Sequence, residues 1–183
     1  YKLLTGNDVG ALLLDYCLKQ RIKNGTLPKD PIAVKTIVTS ELNQKICDSY
    51  GCQLINVLTG FKFIGEQIAL LEAKNEKERY VFGFEESYGY LAGTYVRDKD
   101  AVVASMLICE MAAYYLQQGI TLVDALEQLF NKHGFYFCTQ RSFAFEGISG
   151  MEKMESIMAT LRNNPPKELR GQKVVELSDY QLS

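Results

Sequence analysis

Three clusters in the sequence combine residue types that could handle a polar ligand. Gly83-Phe84-Glu85-Glu86-Ser87-Tyr88-Gly89 sets two carboxylates beside a serine. Ionised carboxylates accept hydrogen bonds, and the hydroxyls of a polyol donate them. A charge-assisted bond of this kind contributes roughly 1.5–3 kcal/mol. Arg97-Asp98-Lys99-Asp100 leads into a long apolar segment that reads as a helix. The amides at that helix end already favour anions, so Arg97 and Lys99 serve the helix poorly there and a phosphate well. Thr59-Gly60-Phe61-Lys62 offers a hydroxyl, a backbone that a ligand can approach closely, and the Lys62 cation. Plainer readings stand beside all three: a solvated turn for Glu85-Glu86, a charged surface turn for 97–100, and an ordinary strand-to-helix turn for 59–62. A glycosidase-like acid and base pair is opposed by geometry, because adjacent strand residues point to opposite faces.

Each cluster follows a segment that reads as a strand. In open α/β sheets ligands bind outside the carboxyl ends of the strands, so this placement carries more weight than residue type. Val34–Thr39 and Leu54–Leu58 are β-rich runs, and Arg79–Phe84 is a third. Between them, Ser40 can cap a helix ending near Tyr50-Gly51, and Gly65–Lys74 reads as a helix with Ile68, Leu70 and Leu71 apolar. Tyr1–Thr5 reads as a short β-like opening. Gly6-Asn7-Asp8 then reads as turn and cap for a helix whose apolar face holds Val9, Leu12, Leu13, Tyr16 and Cys17. After a glycine-spaced loop, a helix spans about Asp100–Gln118; it is apolar on most sides, which predicts deep burial. Thr121 with Asp124 starts another helix, and Gly134 stops it. Strands alternating with helices predict an α/β domain, a three-layer α/β/α sandwich with a mixed sheet, over residues 1–135.

The tail, residues 136–183, predicts a linker and a truncated α+β segment. Phe135–Phe145 is aromatic and β-prone. Ser149-x-x-Glu152 reads as a capping box, with Met151, Met154, Ile157, Met158 and Leu161 on one helical face. Such a stripe is packing material. Asn163–Pro166 breaks that helix, and Gly171–Leu177 reads as one more strand.

Several classes are excluded or disfavoured. With a net charge of -2 over 183 residues, the chain lacks the concentrated basic face that non-specific nucleic-acid binding needs. No apolar run approaches membrane-spanning length and no signal peptide opens the chain, so a cytoplasmic protein with no nucleic-acid or membrane partner is expected. There is no G-x-x-x-x-G-K-[ST] and no G-x-G-x-x-G. The lone His133 sits at a helix stop, where the dipole explains it. The five cysteines include no C-x-x-C, which disfavours a zinc site. Cys17 and Cys109 fall on apolar helical faces and are expected to be reduced core thiols.

The clusters, in this order and spacing, resemble the phosphohexomutases, and the phosphoglucomutase branch most closely. The similar segments are L-L-T-G-N-D-V-G-A-L-L, V-L-T-G-F-K-F-I-G and G-F-E-E-S-Y-G-Y-L followed by V-R-D-K-D. The likeness covers the whole chain and is clearest over 1 to 135. It implies the third of four domains plus part of the fourth. It also implies an enzyme that moves a phosphoryl group between the 1 and 6 positions of a hexose, through glucose 1,6-bisphosphate. By this resemblance Glu85 and Ser87 bond two neighbouring sugar hydroxyls, Thr59 and Gly60 touch the phosphosugar, and Lys99 lies near a phosphate or the reacting oxygen. Lys62 and Arg97 are further candidates, and Glu86 is read as structural. Phe84 and Ala101 depart from glycines common at those positions.

The resemblance also implies what a parent enzyme needs and these residues lack. The chain has no serine in a T-A-S-H-N-P-like setting, no D-x-D-x-D for Mg²⁺ and no R-x-S-G-T-like phosphate loop. The expectation is therefore a fragment with no catalytic residue and no metal ligand of its own, inactive alone. Its expected partners are a hexose phosphate, the remaining domains of the parent and a second copy as a fragment homodimer. A phosphomannomutase, a phosphopentomutase or a non-enzymatic sugar-phosphate-binding regulator remain open beside an α-phosphoglucomutase.

Overall fold

A computed structural model of the chain describes residues 2–138 and 143–180. The chain divides into two compact units, residues 1–138 and 139–183.

The first unit is built around one short strand. β1 (Ile32–Thr36) is buried along its whole length, as expected of a strand covered on both faces. It pairs in parallel with β2 (Gln53–Val57) on one side and β3 (Tyr80–Glu85) on the other. β4 (Gly89–Leu91) closes the sheet antiparallel to β3, giving the order β2-β1-β3-β4. The sheet is thus mixed. Residues 89–91, which read as part of a loop, form this edge strand because Gly83, Phe84 and Glu85 of β3 supply its register partners.

Helices cover both faces. α1 (Gly6–Lys23) lies on one face with α2 (Leu42–Tyr50), α4 (Ala101–Leu116) and α5 (Leu122–His133), sharing one apolar core with Ala33, Phe82 and Phe84. α3 (Phe61–Ala73) covers the other face alone, packing Phe61, Ile64, Ile68 and Leu71 against Ile32, Val34 and Tyr80. The chain therefore crosses from β1 to β2 on one face and returns from β2 to β3 on the other. That follows from a right-handed crossover whose direction reverses at β1.

Local signals explain most boundaries. Thr5, rather than the Gly6-Asn7-Asp8 turn, caps α1: its hydroxyl accepts from the Asp8 amide, and the Asp8 carboxylate accepts from the Thr5 amide at 2.9 Å. Residues 2–5 form no strand. Thr121 and Asp124 make the same reciprocal cap on α5, and Gly134 ends it. Ser40 accepts from the Leu42 amide at 3.2 Å, and Gly51 closes α2 in the left-handed region. α3 starts four residues earlier than the sequence reading placed it, because its apolar face begins at Phe61 rather than beyond Gly65. Leu70, expected on that face, is 49% exposed, whereas Leu71 is 7% exposed.

α4 departs most from expectation. Only Ala104, Met111 and Tyr115 are buried. Cys109 is exposed rather than packed, so burial holds for Cys17, Cys47 and Cys52 alone among the five thiols. Burial pushes the Cys17 thiol up to about 12 and keeps it protonated.

The second unit carries α6 (Gly147–Asn163), preceded by Glu146 without a side-chain cap; Ser149 lies inside the first turn and does not cap it. β5 (Glu168–Leu169) and β6 (Gln172–Lys173) form a hairpin shorter than the predicted Gly171–Leu177 strand. Its two turn residues, Arg170 at φ 51° and Gly171 at φ 78°, both take the left-handed region that a tight hairpin favours. The segments 135–138 and 143–146 form no strand, and the rest of the Phe135–Phe145 reading lies outside the described residues. Among the described residues no helix is long and apolar enough to cross a membrane.

The two leucines of α3 provide a check on this packing. Leu71→Ala should lower unfolding free energy by about 2–5 kcal/mol in urea titration, while Leu70→Ala should stay within about 0.5 kcal/mol.

Candidate functional site

The parallel pairing of β1, β2 and β3 brings the carboxyl ends of all three strands to one edge of the sheet. Glu85 is the last residue of β3, and Ser87 is exposed in the turn that follows. Thr59 is exposed just past β2. Gly60 is the residue before α3 and takes φ 116°, a backbone region that side chains rarely tolerate. Lys99 lies one residue before the Asp100 cap of α4, where the Asp100 carboxylate accepts from the amides of Val102 and Val103.

The side chains of Glu85 and Lys99 meet at this edge. Lys99 Nζ is 3.8 Å from Glu85 Oε1 and 3.0 Å from Asp98 Oδ1. Its ammonium also sits over the Phe61 ring, 5.3 Å from the centroid. Phe61 is buried as the first residue of α3, so it joins the Thr59-Gly60 turn to the lysine. Hydrogen bonding to Asp98, aided by the charges of Asp98 and Glu85, holds the Lys99 pKa above its ordinary value. The Asp98 carboxyl is held below its ordinary range, first by the Lys99 amide and then by the Lys99 side chain. The pair leaves Glu85 mostly covered and Lys99 half exposed.

Gly89 makes the meeting of Glu85 and Lys99 sterically feasible. A Cβ there would fall 2.6 Å from Glu85 Oε1 and 2.6 Å from Lys99 Cδ. Sequence reasoning assigned no role at this site to Gly89, Phe61 or Asp98. Adjacency to Lys99 was a usable signal for Asp98, and the G-F-K spacing was one for Phe61. No local pattern distinguishes Gly89 from any turn glycine.

The surrounding loop is pinned from below. Glu86 turns away from Glu85, and its carboxylate accepts from the Thr36 hydroxyl at 3.2 Å. Tyr88 holds φ 60° while its hydroxyl donates to the Leu4 carbonyl at 2.9 Å. A non-glycine residue in that region costs on the order of 1–3 kcal/mol, so the loop is held against strain.

Two candidates lie apart from this meeting point. Arg97 donates to the carbonyls of Thr94 and Val96 and forms an ion pair with Glu72 of α3. Its guanidinium thus ties the 94–97 loop to α3. Lys62 extends over the neighbouring Phe63 ring, 4.8 Å from its centroid. Among the described residues no group of three or more His, Cys, Asp or Glu side chains is placed to hold a metal ion.

The description "phosphoglucomutase/phosphomannomutase, alpha/beta/alpha domain III" matches residues 5–133. The chain belongs to this family. It is 40% identical over 178 residues to a phosphoglucomutase of Staphylococcus aureus strain MRSA252, and 39% identical to that of strain USA300. These matches cover 97% of the chain but only 31% of each relative, so the chain spans about a third of their length. Its fold is also that of the open form of pp63/parafusin, a phosphoglucomutase from Paramecium, with TM-score 0.65 at 22% identity over 97% of this chain and 29% of that one. Members of this family thus share the α/β/α unit that positions Glu85 and Lys99 here.

Asp98→Asn should lower the Lys99 pKa toward that of an ordinary lysine, read by NMR titration of its side-chain nitrogen. An unchanged Lys99 titration would show that Asp98 does not hold the ammonium.

Proposed function

We propose that this chain is the sugar-recognition part of an α-phosphoglucomutase that interconverts glucose 1-phosphate and glucose 6-phosphate. The observation that carries the reading is the approach of Glu85 and Lys99 to 3.8 Å at the edge where the strands end. A carboxylate and an ammonium that close can both reach one monosaccharide: Glu85, with Ser87, accepts from neighbouring ring hydroxyls, and Lys99 faces a phosphate or the oxygen that exchanges it. Thr59 and the Gly60 backbone complete the rim. Glucose phosphates rather than mannose or pentose phosphates are the substrate in this reading because the relatives that match nearly the whole chain are named phosphoglucomutases.

In this proposal the hexose passes through glucose 1,6-bisphosphate; a phosphoserine that would carry the phosphoryl group, and a site that would hold Mg²⁺ to neutralise its charge, would come from parts of the enzyme whose motifs the 183 residues lack. Transfer of a phosphoryl group depends on positioning and charge stabilisation, so recognition without those groups gives no turnover. Lys99 contributes one positive charge to that stabilisation.

Titration of the chain with glucose 1-phosphate, followed by NMR, tests the site. Glu85, Ser87 and Lys99 should shift first, with a Kd above roughly 1 mM, equivalent to no more than about 4 kcal/mol. Mannose 1-phosphate, ribose 1-phosphate and inorganic phosphate serve as comparators and should bind more weakly. Shifts confined to other loops, or mutase turnover by this chain above background, would overturn the assignment.

A further inference from the structure

Lys99 belongs to an irregular segment, residues 92–100, that joins β4 to α4 and contains no buried residue. Two bonds close the base of this segment. The Asp100 amide donates to the Tyr90 carbonyl at 3.0 Å, and the Tyr95 hydroxyl donates to the Asp100 carboxylate at 2.6 Å. Residues 96–99 between them need a support of their own if the lysine is to stay beside Glu85.

One face of α3 supplies it. Phe61, Gly65 and Glu72 follow one another at intervals of four and seven residues, so at about 100° per residue they fall within about 40° of one another. All three receive the loop. The Lys99 ammonium lies over the Phe61 ring. The Arg97 backbone lies on Gly65, where a Cβ would fall 2.5 Å from the Arg97 carbonyl oxygen and 3.2 Å from its Cβ. The Arg97 guanidinium pairs with Glu72. The spans agree: two extended residues cover about 7 Å, and the four helical residues from Phe61 to Gly65 rise about 6 Å. Seating Arg97 on Gly65 therefore delivers Lys99 to Phe61.

The arginine itself is drawn the other way. Glu72 stands in the last turn of α3, about 16 Å along the axis from Phe61. Nη2 meets that carboxylate while Nη1 donates to the carbonyls of Thr94 and Val96 at 2.6 and 3.4 Å. We propose that Arg97 is a positioning residue for Lys99 and not a ligand for phosphate: seated on Gly65 and paired with Glu72, it holds the lysine over Phe61 and beside Glu85. The consequence for substrate affinity rests on the sugar-phosphate reading above, and the placement of Lys99 does not.

NMR of the chain without ligand reads the placement directly. The ε-methylene protons of Lys99 should be shifted upfield by the Phe61 ring and show cross-relaxation with it. Arg97→Ala and Glu72→Gln should each diminish both signals, and Arg97→Lys, which keeps a charge for Glu72, should restore most of them. Gly65→Ala should diminish them too, although alanine favours the helix itself. The three damaging variants should weaken glucose 1-phosphate binding about two- to fivefold, the range of one exposed ion pair. Glu72→Gln separates the two roles of Arg97. Tighter inorganic phosphate binding with an unchanged Lys99–Phe61 contact would mark the freed arginine as a ligand and overturn the proposal. So would an unchanged contact in both Arg97→Ala and Glu72→Gln. Should glucose 1-phosphate shift nothing in the unaltered chain, the sugar-phosphate reading falls and the Lys99–Phe61 signals still decide the positioning. If Gly65→Ala fails to fold, the two exposed side chains decide.

Discussion

Everything in the first unit is arranged around the burial of β1. This strand has parallel neighbours on both sides and helices on both faces, so each of its residues must be accommodated without water. Four of them are small or apolar. The remaining one is Lys35, which is fully buried and would be costly there without partners. Its ammonium donates to the Thr39 carbonyl at 3.2 Å and pairs with Glu41 at 2.9 Å, bending the following loop back over the strand end. Thr36, the next residue, takes the opposite side and donates to Glu86. The central strand thus anchors both the loop after itself and the loop after β3. The parallel register then leaves three strand ends side by side, and the polar side chains that follow them have one edge to share.

Much of this was legible in the sequence because its signals were local. Thr121 with Asp124, Gly51 and Gly134 announce helix ends through chemistry confined to a few residues. Glu85, Ser87 and Lys99 stood out because their types suit a polyol phosphate, beside a strand end or a helix start, and because their segments resemble those of the phosphohexomutases. What stayed hidden depends on contacts distant in sequence. Arg97 reads as a free cation until α3 supplies Glu72, 25 residues away. Gly89 acquires meaning only when Glu85 and Lys99 have been brought together around it. The three residues of β4 carry too short a pattern to declare a strand, and it is their register against β3 that makes them one.

The same limit explains α4 and α6. Apolar residues on all sides of a helix record that it is covered, but not by what. For α4 one cover is internal and the other face is open among the described residues. In α6 the methionine stripe is exposed throughout, from Met151 to Leu161. Periodicity located both helices well and could not distinguish a core face from an exposed one, since the two have the same composition.

The lysine at the sheet edge has a further consequence. Two acidic neighbours within 4 Å already outweigh its charge, so this cluster of three side chains is acidic on balance. A bare inorganic anion drifting in would have to outcompete Asp98 while being repelled by Glu85. A ligand that also brings hydroxyl donors changes this balance, because it satisfies the glutamate at the moment it draws the ammonium away. Under the proposed function the rim would act as an AND gate in electrostatic form, since neither a neutral sugar nor a naked phosphate would meet both of its demands.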